Sequence, residues 1–178
     1  MRLDSGSTSL LRPITPADHA DVLALNERHV ELTSPLDEPR LAELVAWADR
    51  PCVIDVDGAF AGFVLTFAGG SAYDGENFAW FTAYCREHPT GAGGLAYLDR
   101  VVVHEDFRRR GLASRVYDEL EATCGQPVLT LEVNLDPPNE PSLAFHRGRG
   151  YVEVGRRGSG GHLVSLMAKQ LQDGTRVG

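Results

Sequence analysis

A single α/β domain is the fold class the sequence predicts, and three stretches predict it. CVIDVDGAFAGFVLTFA joins two β-branched and aromatic runs at Asp57-Gly58, a dipeptide suited to tight hairpin turns. LAYLDRVVV, SRVYDELEAT and PVLTLEV read as strand, helix and strand, which implies a right-handed crossover. YVEVGRR and HLVSLMAKQL pair as a second hairpin across the turn from Gly158 to Gly161.

The remaining elements follow in chain order. SLLRPI is a short strand. TPADHADVLALNERHVEL then offers Thr15 as N-cap, Pro16 at the first helical position and Val22, Leu25 and Val30 on one face. A second helix, with Pro39 near its start, places Leu41, Leu44, Val45 and Ala48 together and stops before Pro51. Between Gly69 and Gly94 the chain makes a long excursion with one candidate helix in NFAWFTAYCREH, and excursions of that length are commonly functional. SLAFHRGRG is a short helix before the final hairpin. The whole chain, 1–178, is expected to be one domain, with 1–8 a flexible leader and 171–178 a flexible tail.

Composition narrows the function. A net charge of -8 argues against general nucleic-acid binding, which needs broad basic surface. No run reaches the roughly 18 apolar residues of a spanning helix, and MRLDSGSTSLLRP has no apolar core of signal-peptide length, so a cytoplasmic location off the membrane is expected. Cys52, Cys85 and Cys124 are too widely spaced for a CxxC motif and read as buried free thiols. His19, His88, His104 and His162 lack metal-ligand spacing, so no metal is expected.

FRRRGLAS, Phe107 to Ser114, breaks this acidic pattern. Three adjacent arginines repel one another unless solvent or an anion screens them. Gly111 and Ala113 are small where the turn enters a helix, so a ligand can approach backbone N–H groups. Free donors and the dipole at a helix start suit a phosphate, yet neither GxxxxGK[ST] nor GxGxxG is present.

Val103-His104-Glu105-Asp106-Phe107-Arg108-Arg109-Arg110-Gly111-Leu112-Ala113 resembles the V-x-P-x-[YF]-R-x-x-G-x-[GA] signature of the GCN5-related N-acetyltransferase (GNAT) superfamily, with Glu105 in place of the usual proline. Asn139-Glu140-Pro141-Ser142-Leu143-Ala144-Phe145-His146, ending at Gly150-Tyr151, is similar to that family's N-x-x-[AS]-x-x-F-Y-x-x-x-G-[FY] segment. The resemblance, to a bacterial-type member of unknown acceptor, is tight from Leu95 to Tyr151. It implies a mixed, largely antiparallel sheet of about seven strands, splayed between the fourth and fifth and flanked by about four helices. It implies acetyl-CoA as co-substrate and an amine acceptor, with a homodimer left open. Val101 and Val103 would hold the acetyl and pantetheine portions. Arg108, Arg109, Arg110, Gly111, Leu112, Ala113 and Ser114 would take the pyrophosphate, and Asn134, Asn139, Ser142 and Phe145 would complete the cofactor site.

Acetyl transfer to an amine requires a neutral nucleophile, a polarised thioester carbonyl and a proton for the thiolate. Glu132 is the candidate base: LEV resembles the segment holding the catalytic glutamate of ribosomal-protein N-terminal acetyltransferases, and a carboxylate in the apolar strand LTLEV is unusual. Asp99 is its rival, with a simple pair to Arg100 as the bland reading. His146 stands where the family has its tyrosine acid. Acid, base and plain hydrogen-bond partner all stay open for it. Asn26, Glu27, His29, Tyr73, Asp74, Glu76 and Trp80 are candidates to line the acceptor side, and NLDPPN to stiffen it, with Asp136 or Asn139 capping the next helix. A non-catalytic acyl-CoA-binding module and an arginine-based nucleic-acid binder are the competing readings.

Overall fold

The computed structural model describes residues 9–88 and 94–171. The expected leader and all but Leu171 of the expected tail therefore lie outside the described residues. In chain order the elements are β1 (Leu11–Pro13), a 3-10 turn (Pro16–Asp18), α1 (His19–Arg28), α2 (Glu38–Trp47), β2 (Arg50–Val56), β3 (Ala59–Ala68), α3 (Glu76–Glu87), β4 (Ala96–Val103), a second 3-10 turn (Glu105–Phe107), α4 (Leu112–Thr123), β5 (Val128–Asp136), α5 (Glu140–Gly148), β6 (Val152–Ser159) and β7 (His162–Gln170).

Local chemistry sets the boundaries. Thr15 does not cap by its own oxygen. Instead the Asp18 carboxylate accepts from the Thr15 N–H and hydroxyl, both at 2.8 Å, and from Arg12, so a 3-10 turn precedes α1. The first helix also ends at Arg28, earlier than HVEL suggests. Asp37 caps α2 by accepting the Arg40 N–H at 2.9 Å. Asp57 and Gly58 both take positive φ, 53° and 84°, closing the β2–β3 hairpin as the dipeptide predicts.

The seven strands form one sheet in the order β1-β2-β3-β4-β5-β7-β6. Every pairing is antiparallel except β4 with β5, which is parallel. That parallel seam holds at only two places, Ala96 opposite Leu129 and Tyr97 opposite Thr130, with the Thr130 hydroxyl donating to the Ala96 carbonyl at 3.0 Å. Beyond Tyr97 the two strands part, opening a window in the sheet.

Helices cover both faces. One core joins Ala96, Leu98, Leu129, Leu131 and Val133 to Leu112, Val116, Tyr117 and Leu120 of α4 and Leu143 of α5. The other joins Phe63, Leu65, Phe67, Tyr97 and Leu166 to Val22, Leu25, Leu41, Leu44, Phe78 and Phe81 of α1, α2 and α3. Each such buried side chain stabilises the domain by about 1.5–3 kcal/mol relative to exposure. Five α-helices occur among the described residues, in keeping with the expected four or so, and α3 is the candidate helix of NFAWFTAYCREH in the Gly69–Gly94 excursion.

A bulge in β4 changes which way its residues point. Leu65 faces Arg100 and Thr66 faces Leu98, so Asp99 has no partner on β3. Tyr97 and Val102 consequently pack on the α1–α3 side, while Val101 and Val103 pack on the α4 side.

Candidate active site

The window is lined from both faces of the sheet. A cleft of about 320 Å³ brings together Asp99, Val101 and Val103 of β4, Glu132 and Asn134 of β5, Asn139, Ser142 and His146 around α5, and Tyr117 of α4. A neighbouring cavity of about 520 Å³ runs along Phe107, Arg109 and Gly111–Ser114 to Phe145. Val101, Val103, Arg108, Tyr117, Ser142 and His146 border both, so the two spaces meet at these side chains.

The second cavity ends at an open helix start. Gly111 has φ 68° with nothing within 4 Å of where a Cβ would stand, so the approach to the helix start is open. The first helical hydrogen bond comes from Arg115 N–H to the Gly111 carbonyl, 3.2 Å, so the Leu112, Ala113 and Ser114 N–H groups precede the helical ladder. These donors and the helix dipole favour an anion. Arg109, next to them, holds φ 60°, a left-handed conformation costly for a residue with a side chain.

The three arginines do not act as one cluster. Arg108 turns back, its Nε donating to the Val103 carbonyl at 3.2 Å and its guanidinium lying 3.0 Å from His29 Nε2. Arg110 lies over the Phe107 ring, 5.9 Å from its centre, and does not line either cavity. Asn139 is engaged as the N-cap of α5, accepting the Ser142 N–H at 3.2 Å.

On the α3 side stands Glu132. Its Oε2 accepts from Tyr97 Oη at 2.8 Å and from Asn77 Nδ2 at 2.5 Å. Glu132 lines the cleft, and no hydrogen bond to its Oε1 occurs among the described residues. Burial pushes the Glu132 carboxyl above the ordinary glutamate range, opposed by those two donors. Burial and the neighbouring Glu132 charge also push the Tyr97 phenol well up, so it remains a donor. Asp99, by contrast, has both oxygens occupied: Arg100 Nε at 2.5 Å on one, Tyr73 Oη at 2.5 Å on the other. Arg100 is itself buried and bonded to Asn26 Oδ1 at 2.9 Å.

On the α4 and α5 side His146 is buried. Its Nδ1 lies 2.7 Å from the Ser142 carbonyl, an acceptor only, so that nitrogen carries the proton. Nε2 is then the acceptor for the Tyr117 hydroxyl at 2.8 Å. Burial pulls the His146 pKa below the usual histidine value, so the ring is neutral at pH 7. Burial pushes the Tyr117 phenol up.

Of the residues expected on the acceptor side, His29 lines the cleft and Tyr73 and Asn26 act through Asp99 and Arg100. Asp74 pairs with Arg40 and Glu76 with Arg157, Trp80 packs against Gly155, and Glu27 is exposed. Glu31, Leu32, Thr33 and Ser34 of the loop after α1 take their place. Tyr97, Asn77 and Tyr117 had not been singled out. Tyr97 carried a sequence signal, lying two residues from Asp99 in a strand, and Asn77 carried none. Among the described residues no group of three or more His, Cys, Asp and Glu could hold a metal, and no helix is long and apolar enough to cross a membrane.

No curated protein matches this chain. Solved structures do. Chaetomium thermophilum Naa20 in complex with a bisubstrate analogue superposes with a TM-score of 0.67 at 18% identity, over 92% of this chain and 87% of that one. The ribosomal-protein-S18-alanine N-acetyltransferase from Escherichia coli gives 0.64 at 18% identity, over 94% and 97%. Arabidopsis thaliana NAA60 in complex with acetyl-CoA gives 0.64 at 21% identity, over 90% and 98%. At such identities the likeness is one of fold. The model of the acetyltransferase (GNAT) family matches residues 19–151, three-quarters of the sequence and both halves of the window, and the chain belongs to that family.

Proposed function

We propose that the protein is an acetyl-CoA-dependent N-acetyltransferase that passes acetyl directly to a primary amine, of a small molecule or of a protein N-terminus. The observation that carries this is the window itself: a buried carboxylate lining the cleft on one face of the sheet, and an open helix start with its cavity on the other. Family membership and the acetyl-CoA or bisubstrate complexes of the structural neighbours support the donor.

Acetyl-CoA supplies the acetyl group as a thioester. The Leu112, Ala113 and Ser114 N–H groups and Arg109 hold the diphosphate, while Val101, Val103, Asn134, Ser142 and Phe145 border the path toward the window. Glu132 Oε1 takes the proton of the attacking amine, directly or through water, with Oε2 held by Tyr97 and Asn77. The thiolate forms on the opposite side, where the Tyr117 hydroxyl turns from His146 Nε2 to the stronger anionic acceptor. His146, neutral with its Nδ1 proton held by Ser142, serves this step by fixing where that hydroxyl lies. Asp99, with both oxygens engaged, holds the β4 bulge and the loop after α1 in place.

A second reading, a module that binds acyl-CoA without turnover, is favoured by one observation: a neutral, buried His146 is a poor acid. Thiol release measured across a panel of amines and peptides, beside acetyl-CoA calorimetry, separates the two. Turnover with at least one amine, abolished in Glu132→Gln, supports transfer. Binding without thiol release from any acceptor sinks it in favour of the module, and absence of binding sinks both.

A further inference from the structure

The excursion between β3 and β4 reaches across the sheet to the base. Its helix α3 begins at Glu76, and the second residue, Asn77, extends to Glu132 on β5, 55 positions away in sequence. We propose that α3 is the positioning element of the base: Asn77 Nδ2 and Tyr97 Oη fix Glu132 Oε2 from two sides, which leaves Oε1 directed into the cleft toward the acceptor amine. The proposal rests on the reading of Glu132 as general base.

Three contacts hold α3 where this requires. Arg157 of β6 donates to the Glu76 carbonyl at 2.8 Å and meets its carboxylate at 3.3 Å. Trp80 packs so closely on Gly155 that a Cβ there would stand 2.7 Å from its Cζ2. Phe78 and Phe81 pack around Tyr97, ring centres 5.8 and 5.9 Å apart. The start of the helix is thus tied to the far hairpin, and its apolar face to the strand that carries the other anchor. A carboxylate on a strand has several rotamers, and two donors converging on one oxygen select the one with the second oxygen exposed.

The charged and titratable groups facing Glu132 are Tyr97 and Asp99 on β4, Tyr73 before α3 and His162 on β7. Asn77 is the uncharged partner among them. Its donor favours the charged carboxylate, so removing it lets the pKa of Glu132 rise.

The test uses Asn77→Leu, which keeps the volume and removes the donor, and Arg157→Ala, which loosens α3 and keeps Asn77. In Asn77→Leu the acid limb of the kcat/KM profile should move up by about half to one pH unit, with a loss of about 3–10-fold on the acid side of the limb that vanishes on the plateau above it. Acetyl-CoA affinity by calorimetry should not change. Arg157→Ala should move the limb in the same direction by less. A ¹³C-carboxyl titration, assigned with Glu132→Gln, reads the Glu132 pKa without turnover and should show the same rise. An unmoved carboxyl pKa in Asn77→Leu overturns the proposal, as does an equal rate loss at every pH. Turnover surviving in Glu132→Gln would instead remove the base assignment, and the carboxyl titration would still decide whether Asn77 acts on Glu132.

Discussion

The Tyr97 hydroxyl donates to Glu132 Oε2 at 2.8 Å across the place where β4 and β5 separate. One residue along from the last paired position of β4, the backbone is no longer held across the seam, and the side chains take over the connection. Glu132 is therefore anchored at the closed end of the window and free at the open end.

Replacing Glu132 by Gln keeps both anchoring donors occupied and removes the basic oxygen. Steady-state kinetics should show kcat lower by about 10²–10⁴-fold, the usual contribution of a general base, with calorimetry giving unchanged acetyl-CoA affinity.

The same substitution should stabilise the fold. Burial raises the folded pKa of Glu132 above its unfolded value, so its favourable contribution is present below the unfolded value near 4.3 and is lost as pH rises through the folded pKa. Thermal unfolding should give a higher Tm for Glu132→Gln than for the parent at pH 7, and the difference should shrink toward pH 4.

His146 has the opposite sign. Its folded pKa lies below the unfolded value near 6.5, so the stability it contributes is present above that value and is lost as pH falls through the folded pKa. His146→Phe should flatten the loss of Tm between pH 7 and pH 5.

Tyr117→Phe leaves the His146 Nε2 acceptor without its donor, a cost of about 1–3 kcal/mol for a buried group. Under the proposed roles it should also lower kcat by about 10–100-fold while leaving the KM for acetyl-CoA near the parent value. An unchanged kcat would remove Tyr117 from the chemistry.

Arg109→Gly relaxes a left-handed backbone and deletes a charge beside the helix start. The loss of charge outweighs the relaxation, so calorimetry should show acetyl-CoA binding weaker by about 10-fold and less sensitive to salt than in the parent.

Much of the architecture was readable because its signals are local. The Asp57-Gly58 hairpin, the crossover through α4 and the terminal hairpin each depend on turn chemistry or a short period, and all three stand. The β4 face was not readable. YLDRVVV alternates as if Tyr97, Asp99, Val101 and Val103 pointed one way, and the bulge at Asp99 reverses the order after it. Side-chain pairs between distant segments were equally silent, since nothing local marks Asn77 for Glu132 or Tyr117 for His146. The arginine run showed its charge but not its division of labour, because Arg108 answers to His29, 79 positions away.

The seam of two residue pairs between β4 and β5, closed by the Thr130–Ala96 bond, is the root of two diverging arms. From Tyr97, its last residue paired with β5, the β4 arm runs six residues to Val103, about 20 Å of extended chain, held along its other edge by β3 as far as Gly62 opposite Val103. The spacing of the two arms is thus set by their outer neighbours, β3 and β7, and not by any bond across the opening.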